Sequence, residues 1–202
     1  MANSAEAADL SLQDYPDAFL QGIPALTYKV FATLFPDWSC EVSPPQAIVD
    51  CRMTGEAVSL IALESTWCRG FMMMQADCGP LRRMRGKSPS TDPDRDTHIA
   101  NSLLGEITNL IWGAFKNRYI GPDSEYHGSP IQVPLMIDRI NGTLHFGTEN
   151  PQLRFLYTLS DANGHRLKLD QRFIFNLYWA PQNYRELTDD SATVESGALE
   201  FF

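Results

Sequence analysis

Basic residues are what this 202-residue chain has least to spare of: 16 Lys and Arg stand against 25 Asp and Glu, for a net charge of −9 and an isoelectric point near 4.8. A protein that displaces counterions from nucleic acid needs a basic footprint, so a general nucleic-acid binder is excluded and a small solute or another protein is the expected partner. Cysteine is sparse as well. Cys40, Cys51, Cys68 and Cys78 form no CxxC pair, which argues against a zinc ribbon or a thioredoxin-like centre and for free thiols in a reducing compartment. The N-terminal MANSAEAADLSLQDYPD has neither a basic nor an apolar signal region, and nowhere do 18 apolar residues run together. A cytoplasmic protein without a membrane span is the expectation. His98, His127, His145 and His165 show no HxH or HxxxH spacing, Ser59, Ser65 and Ser160 lie in no GxSxG elbow, and no Gly-rich phosphate loop is present. No metal site is expected.

What the chain does have is 44% hydrophobic and 20% charged residues, enough for one well-cored domain. Residues 1–15 lack apolar periodicity and read as a flexible leader, 16–180 as the domain, and 181–202 as an acidic tail. Phe19, Ile23, Leu26, Val30, Phe31 and Leu34 recur at helical spacing, predicting a helix over 17–35 that Pro24 could bend or restart. Strand-like runs follow at 46–53, 57–64 and 69–76. Residues 79–97 read as a basic, then Pro/Asp-rich connection with room only for a short helix near 80–86. Beyond residue 130, IQVPLMIDRI, GTLHFGT, LRFLYTLSD and HRLKLDQRFIFNLYW predict an antiparallel meander, with Asn141-Gly142 and Asn163-Gly164 as two-residue hairpin turns. The order helix, strands, helix, strands implies an α+β domain with helices packed on one face of an antiparallel sheet.

The stretch 101–119, NSLLGEITNLIWGAFKNRY, is the most informative. At about 100° per residue, Leu103, Leu104, Ile107, Leu110, Ile111, Ala114 and Phe115 fall in one apolar arc, while Ser102, Glu106, Asn109 and Gly113 fall opposite. Glycine costs up to about 1 kcal/mol relative to Ala in a helix interior, and Asn is mediocre there. A polar face built from Gly105, Asn109 and Gly113 around one carboxylate is therefore shaped for a partner that comes close.

The segment Gly105-Glu106-Ile107-Thr108-Asn109-Leu110-Ile111-Trp112-Gly113 resembles the GELTNMxxG signature of the CheX group within the CheC/CheX/FliY family of chemotaxis phosphatases. That pattern places Asp or Ser four residues before the Glu, Asn three after it and Pro some twenty-odd residues later. Ser102, Glu106, Asn109 and Pro130 fill those places, with the Asn109 to Pro130 spacing a little short and Pro134 slightly long. The order of elements over about residues 17–178 is similar too, and a single motif fits the CheX type rather than the two-motif CheC type. The connection at 79–97, where the family has a longer helix, and the acidic tail depart from the pattern.

The resemblance implies a CheC/CheX-like fold and hydrolysis of the aspartyl phosphate on a phosphorylated CheY-like receiver domain, with Asn109 positioning the water and Glu106 pairing with the receiver's active-site Lys. Mg²⁺ would sit on the receiver, so the chain needs no cofactor of its own, and homodimers of the CheX type are implied. Ser102 and Pro130 are assigned to supporting the helix face and shaping the adjoining strand, and Gly105 and Gly113 to close approach. An alternative is a catalytically inactive CheX-like module that only binds a receiver or another signalling protein. Trp112 either rims the interface or packs half-buried, and Lys116 either complements an acidic partner or is solvated. Arg82, Arg83, Arg85 and Lys87 form the one dense basic patch, read as a solvated loop more readily than as a contact for a negative partner. Met72, Met73 and Met74 are read as packing.

Overall fold

The computed structural model describes residues 12–13, 15–49, 53–86, 92–120, 133–138, 152–180 and 183. Helix α1 runs over Asp17–Leu34 and continues through Pro24, whose ring nitrogen has no proton to give. Strands β1 (Ser39–Val42) and β2 (Gln46–Ile48) lead to the long hairpin of β3 (Ala57–Glu64) and β4 (Cys68–Ala76). A short helix α2 (Cys78–Met84) and a long helix α3 (Pro93–Phe115) follow, the latter widening into a π turn at Lys116–Ile120. Strands β5 (Leu135–Asp138), β6 (Gln152–Ser160) and β7 (Arg166–Trp179) complete the order.

These strands form one antiparallel sheet in the order β1-β6-β7-β4-β3-β5, with β2 also pairing β6. Both helical layers lie on one face. Phe19, Ile23 and Phe31 of α1 and Leu104, Ile107, Ile111 and Phe115 of α3 pack on Met72, Leu153, Phe155, Leu169 and Phe173 in a single core. Phe19 is its hub, with its ring within 6.3 Å of those of Trp67, Phe115, Tyr119, Phe173, Phe175 and Trp179. The other face of the sheet carries a small apolar cluster of Met53, Val58, Met73 and Ile174. Beside it, Asp170 receives bonds from Arg154, Arg172 and Gln75, which satisfies a buried carboxylate. Met72 and Met74 face the helices and Met73 the opposite side, so all three methionines are packing.

Two close approaches lock these layers. A Cβ on Gly70 would overlap the Ile174 carbonyl oxygen, at the point where the β4–β7 register shifts between Arg69 and Phe71. A Cβ on Gly22 would overlap the Tyr119 hydroxyl, so α1 and the π turn touch only because residue 22 has no side chain. The Trp67 indole N–H donates to the Tyr119 carbonyl at 3.0 Å, holding the same turn to the sheet.

Several expectations need correcting. The second half of the chain is not a meander: β5 pairs with β3 at one edge, while β7 inserts between β6 and β4 in the middle. The loop joining β6 and β7 is longer than two residues, since Ser160 pairs with Arg166. Asp161 closes it by accepting from the backbone N–H groups of Asn163 and His165, and Gly164 takes φ +81°. The connection at 79–97 is shorter than read, because α2 spans Cys78–Met84 and α3 already begins at Pro93. Asp92 caps α3 by accepting from the N–H groups of Asp94 and Arg95, at 3.0 and 3.4 Å, with Pro93 behind it. Strand β1 went unread, being four residues long and mostly exposed. The GTLHFGT strand, the Asn141-Gly142 turn and residues 184–202 lie outside the described residues. No described helix is long and apolar enough to cross a membrane.

Candidate functional site

Helix α3 is amphipathic, and its buried stripe of Ala100, Leu103, Leu104, Ile107, Thr108, Ile111, Phe115 and Tyr119 fixes which way its remaining residues point. Leu110, assigned to that stripe from spacing, is 43% exposed and lies at its outer margin. Trp112 is 9% exposed and stacks on Phe115 with ring centroids 6.0 Å apart, so packing is the reading that holds for it.

The outward face of α3 forms one wall of a groove of about 740 Å³. Ser102, Gly105, Glu106 and Asn109 all line it, and the wall continues toward the helix start through Asp94, Thr97, His98 and Asn101. Val133, Pro134 and Met136, leading into and along β5, make the opposite wall. Gly105 faces β5 across it: a Cβ there would stand 3.4 Å from the Met136 sulfur, at van der Waals contact, so α3 and β5 pack directly on each other. Ser102 and Asn109 are exposed. Gly113 and Lys116, one and two turns further along, are not among the described lining residues. Pro130 lies outside the described residues, whereas Pro134, the other proline near the motif's spacing, lines the groove.

The other flank of α3 carries α2, held by two ion pairs. Arg82, 8% exposed, pairs with Asp96, and Arg85 Nη2 donates to Glu106 Oε2 at 2.7 Å. The basic patch is therefore not a solvated loop: two of its arginines fasten α2 to α3, Arg83 is exposed, and Lys87 lies outside the described residues. Glu106 sits on the crest between the flanks, one side of its carboxylate engaged by Arg85 and its body lining the groove. Sequence spacing finds Glu106 because it lies within one helix; it cannot find Arg85, 21 residues away and positioned by packing.

Chemically, the groove offers carboxylates at Asp94 and Glu106, hydroxyls at Thr97 and Ser102, the His98 imidazole, and amides at Asn101 and Asn109 that can both donate and accept. Among the described residues no three His, Cys, Asp or Glu side chains converge as a metal site. Elsewhere, burial pushes the Cys68 thiol up to about 12 against a weaker lowering by the Ser65 hydroxyl, and the Cys40 thiol up to about 11 with help from Glu41.

No family model matches the sequence, and no curated protein is significantly similar to it. Solved structures are. A CheC-like superfamily protein from Shewanella sp. PV-4 superposes with a TM-score of 0.52 at 19% identity, covering 79% of this chain and 99% of that one. The chemotaxis protein CheX from Vibrio vulnificus does so with a TM-score of 0.50 at 20% identity, over 77% and 99%. The FliM middle domain from H. pylori reaches 0.50 at 8% identity, over 85% and 93%. With its helices on one side of an antiparallel sheet and its signature helix beside β5, the chain has the CheC/CheX-like α+β fold.

Proposed function

We propose that this protein docks on a phosphorylated CheY-like receiver domain and hydrolyses its aspartyl phosphate. The observation that carries the reading is that Ser102, Glu106 and Asn109 line a single groove, on the helix that bears the CheX-like signature. An acyl phosphate is already activated, so the catalyst need only hold a water in line with the phosphorus and stabilise charge as it spreads over the phosphoryl oxygens. The Asn109 carbonyl accepts from the attacking water while its amide donates to a phosphoryl oxygen. The water oxygen bonds to phosphorus, the bond to the receiver's carboxylate oxygen breaks, and inorganic phosphate leaves with the water's proton. Glu106, one turn away at about 5–6 Å between Cβ atoms, meets the receiver's active-site Lys and fixes the register. Mg²⁺ belongs to the receiver's own acidic residues. The expected homodimer is part of the same proposal, as is a cytoplasmic location.

The test is the decay of aspartyl phosphate on receiver domains from the same organism, with wild-type protein and with Glu106→Ala and Asn109→Ala. Faster decay on one receiver, lost in both variants while Asn109→Ala still binds, is the expected outcome. Unchanged decay on every receiver rejects hydrolysis. A second reading, a module that binds without hydrolysing, shares the docking surface of Glu106 and is separated by the same assay. Under that reading a receiver binds, its phosphoryl lifetime stays the same, and Glu106→Ala abolishes binding alone.

A further inference from the structure

We infer that Arg85 is a positioning residue that attenuates docking, by occupying the carboxylate of Glu106 in competition with the partner's cationic group; the inference rests on the docking role proposed for Glu106. Three observations carry it. Arg85 Nη2 reaches Glu106 Oε2 at 2.7 Å, so one carboxylate oxygen is taken within the chain itself. The pair is open to solvent, with side-chain exposures of 40% for Arg85 and 27% for Glu106, so it can be exchanged by an incoming group rather than being sealed. Finally, Arg85 approaches from the α2 flank while Glu106 lines the groove on the other side, so a cation entering the groove meets a carboxylate with a guanidinium directly behind it.

The placement is a product of the fold. Arg85 caps the C-terminus of α2, its N–H bonded to carbonyls of that helix, and the part-buried Arg82–Asp96 pair anchors α2 against α3 one turn earlier on α2. The guanidinium is thus presented to Glu106 from a fixed base. A like charge behind the carboxylate weakens its hold on a second cation, and the weakening is screened as salt rises. Lysine at position 85 keeps the charge and should behave as the wild type does.

The experiment measures phosphoryl decay against receiver concentration, using the receiver domain on which the wild-type protein acts fastest, for the wild type, Arg85→Ala, Arg85→Lys, Glu106→Ala and the Arg85→Ala/Glu106→Ala double variant. Arg85→Ala should lower KM by about two- to fivefold at low salt, the range of an exposed ion pair, and leave kcat within about twofold. The gain should disappear at about 0.5 M salt, as expected of a screened surface charge, and the double variant should be as inactive as Glu106→Ala alone. A raised or unchanged KM in Arg85→Ala, or decay restored in the double variant relative to Glu106→Ala, overturns the inference while the phosphatase reading stands. Where no receiver responds to the wild-type protein, that reading fails for the free protein; Arg85→Ala is then tried on the same receivers. A response from that variant alone supports an attenuated site, and silence from it overturns the inference as well.

Discussion

Replacing Gly113 by Ala separates what α3 needs for folding from what it would need for a partner. Gly113 lies one turn beyond Asn109 on the same face, and a methyl group built there meets nothing within 4 Å. The substitution therefore creates neither a clash nor a cavity, and its effect on stability is one of helix propensity alone. Alanine is favoured over glycine by up to about 1 kcal/mol in a helix interior, and somewhat less in the final turn, so a gain of about 0.5–1 kcal/mol is expected. For a domain of this size that raises the melting temperature by about 2–4 °C per kcal/mol. Urea unfolding should show a higher midpoint at an unchanged slope. If Gly113 exists to let a receiver's surface approach, the same methyl should cost binding on the order of 1 kcal/mol, about a fivefold slower phosphoryl decay at subsaturating receiver. A variant that is more stable and fully active would refute the close-approach argument. One that is less stable would refute the open space from which the gain was worked out.

Three further outcomes are expected. Gly70→Ala forces β4 away from the Ile174 carbonyl and should cost about 3 kcal/mol or more, seen as loss of soluble, cooperatively unfolding protein; near-wild-type stability would contradict the close approach. Asp92→Ala removes the cap of α3 and should cost about 1 kcal/mol in urea unfolding, with Asp92→Asn recovering most of it. The Cys68 thiol, raised from about 9 to about 12 by burial, stays protonated in the folded protein, so its contribution to stability is complete below about pH 9 and is lost as pH rises from there toward 12. Cys68→Ser should flatten that alkaline decline, and native Cys68 should resist alkylation at pH 8.

The parts of this fold legible in sequence are those written as local periodicity. Phe19 through Leu34 announce α1 at helical spacing, and apolar runs at β3 and β4 with alternation along β6 and β7 give their extents to within a residue or so. Periodicity carries no information about which strand lies beside which, so β7 was placed at the end of a meander when it lies at the centre of the sheet. Asp92-Pro93-Asp94 is a legible helix start that was absorbed into a Pro/Asp-rich connection, because proline reads as a breaker unless the residue before it is recognised as a cap. At the site, Ser102, Glu106 and Asn109 are brought to one groove because one helix spaces them. Arg85 and Met136 were not, since each reaches the site only through the packing of α2 and β5 on α3.

The central position of β7 also governs the order in which the protein can assemble. Ser39 pairs with Ser160, and the β3–β4 hairpin acquires its neighbour on the β4 side only when residues up to Trp179 arrive. During synthesis the N-terminal helix and the first hairpin therefore emerge before β7, which joins β6 to β4 and unites the two halves of the sheet, so the sheet closes late. Such non-local pairing slows folding, because distant segments must meet before any contact rewards them. A ribosome-stalled chain ending before residue 166 should accordingly remain protease-sensitive throughout, and protection should appear in a single step once β7 has left the exit tunnel.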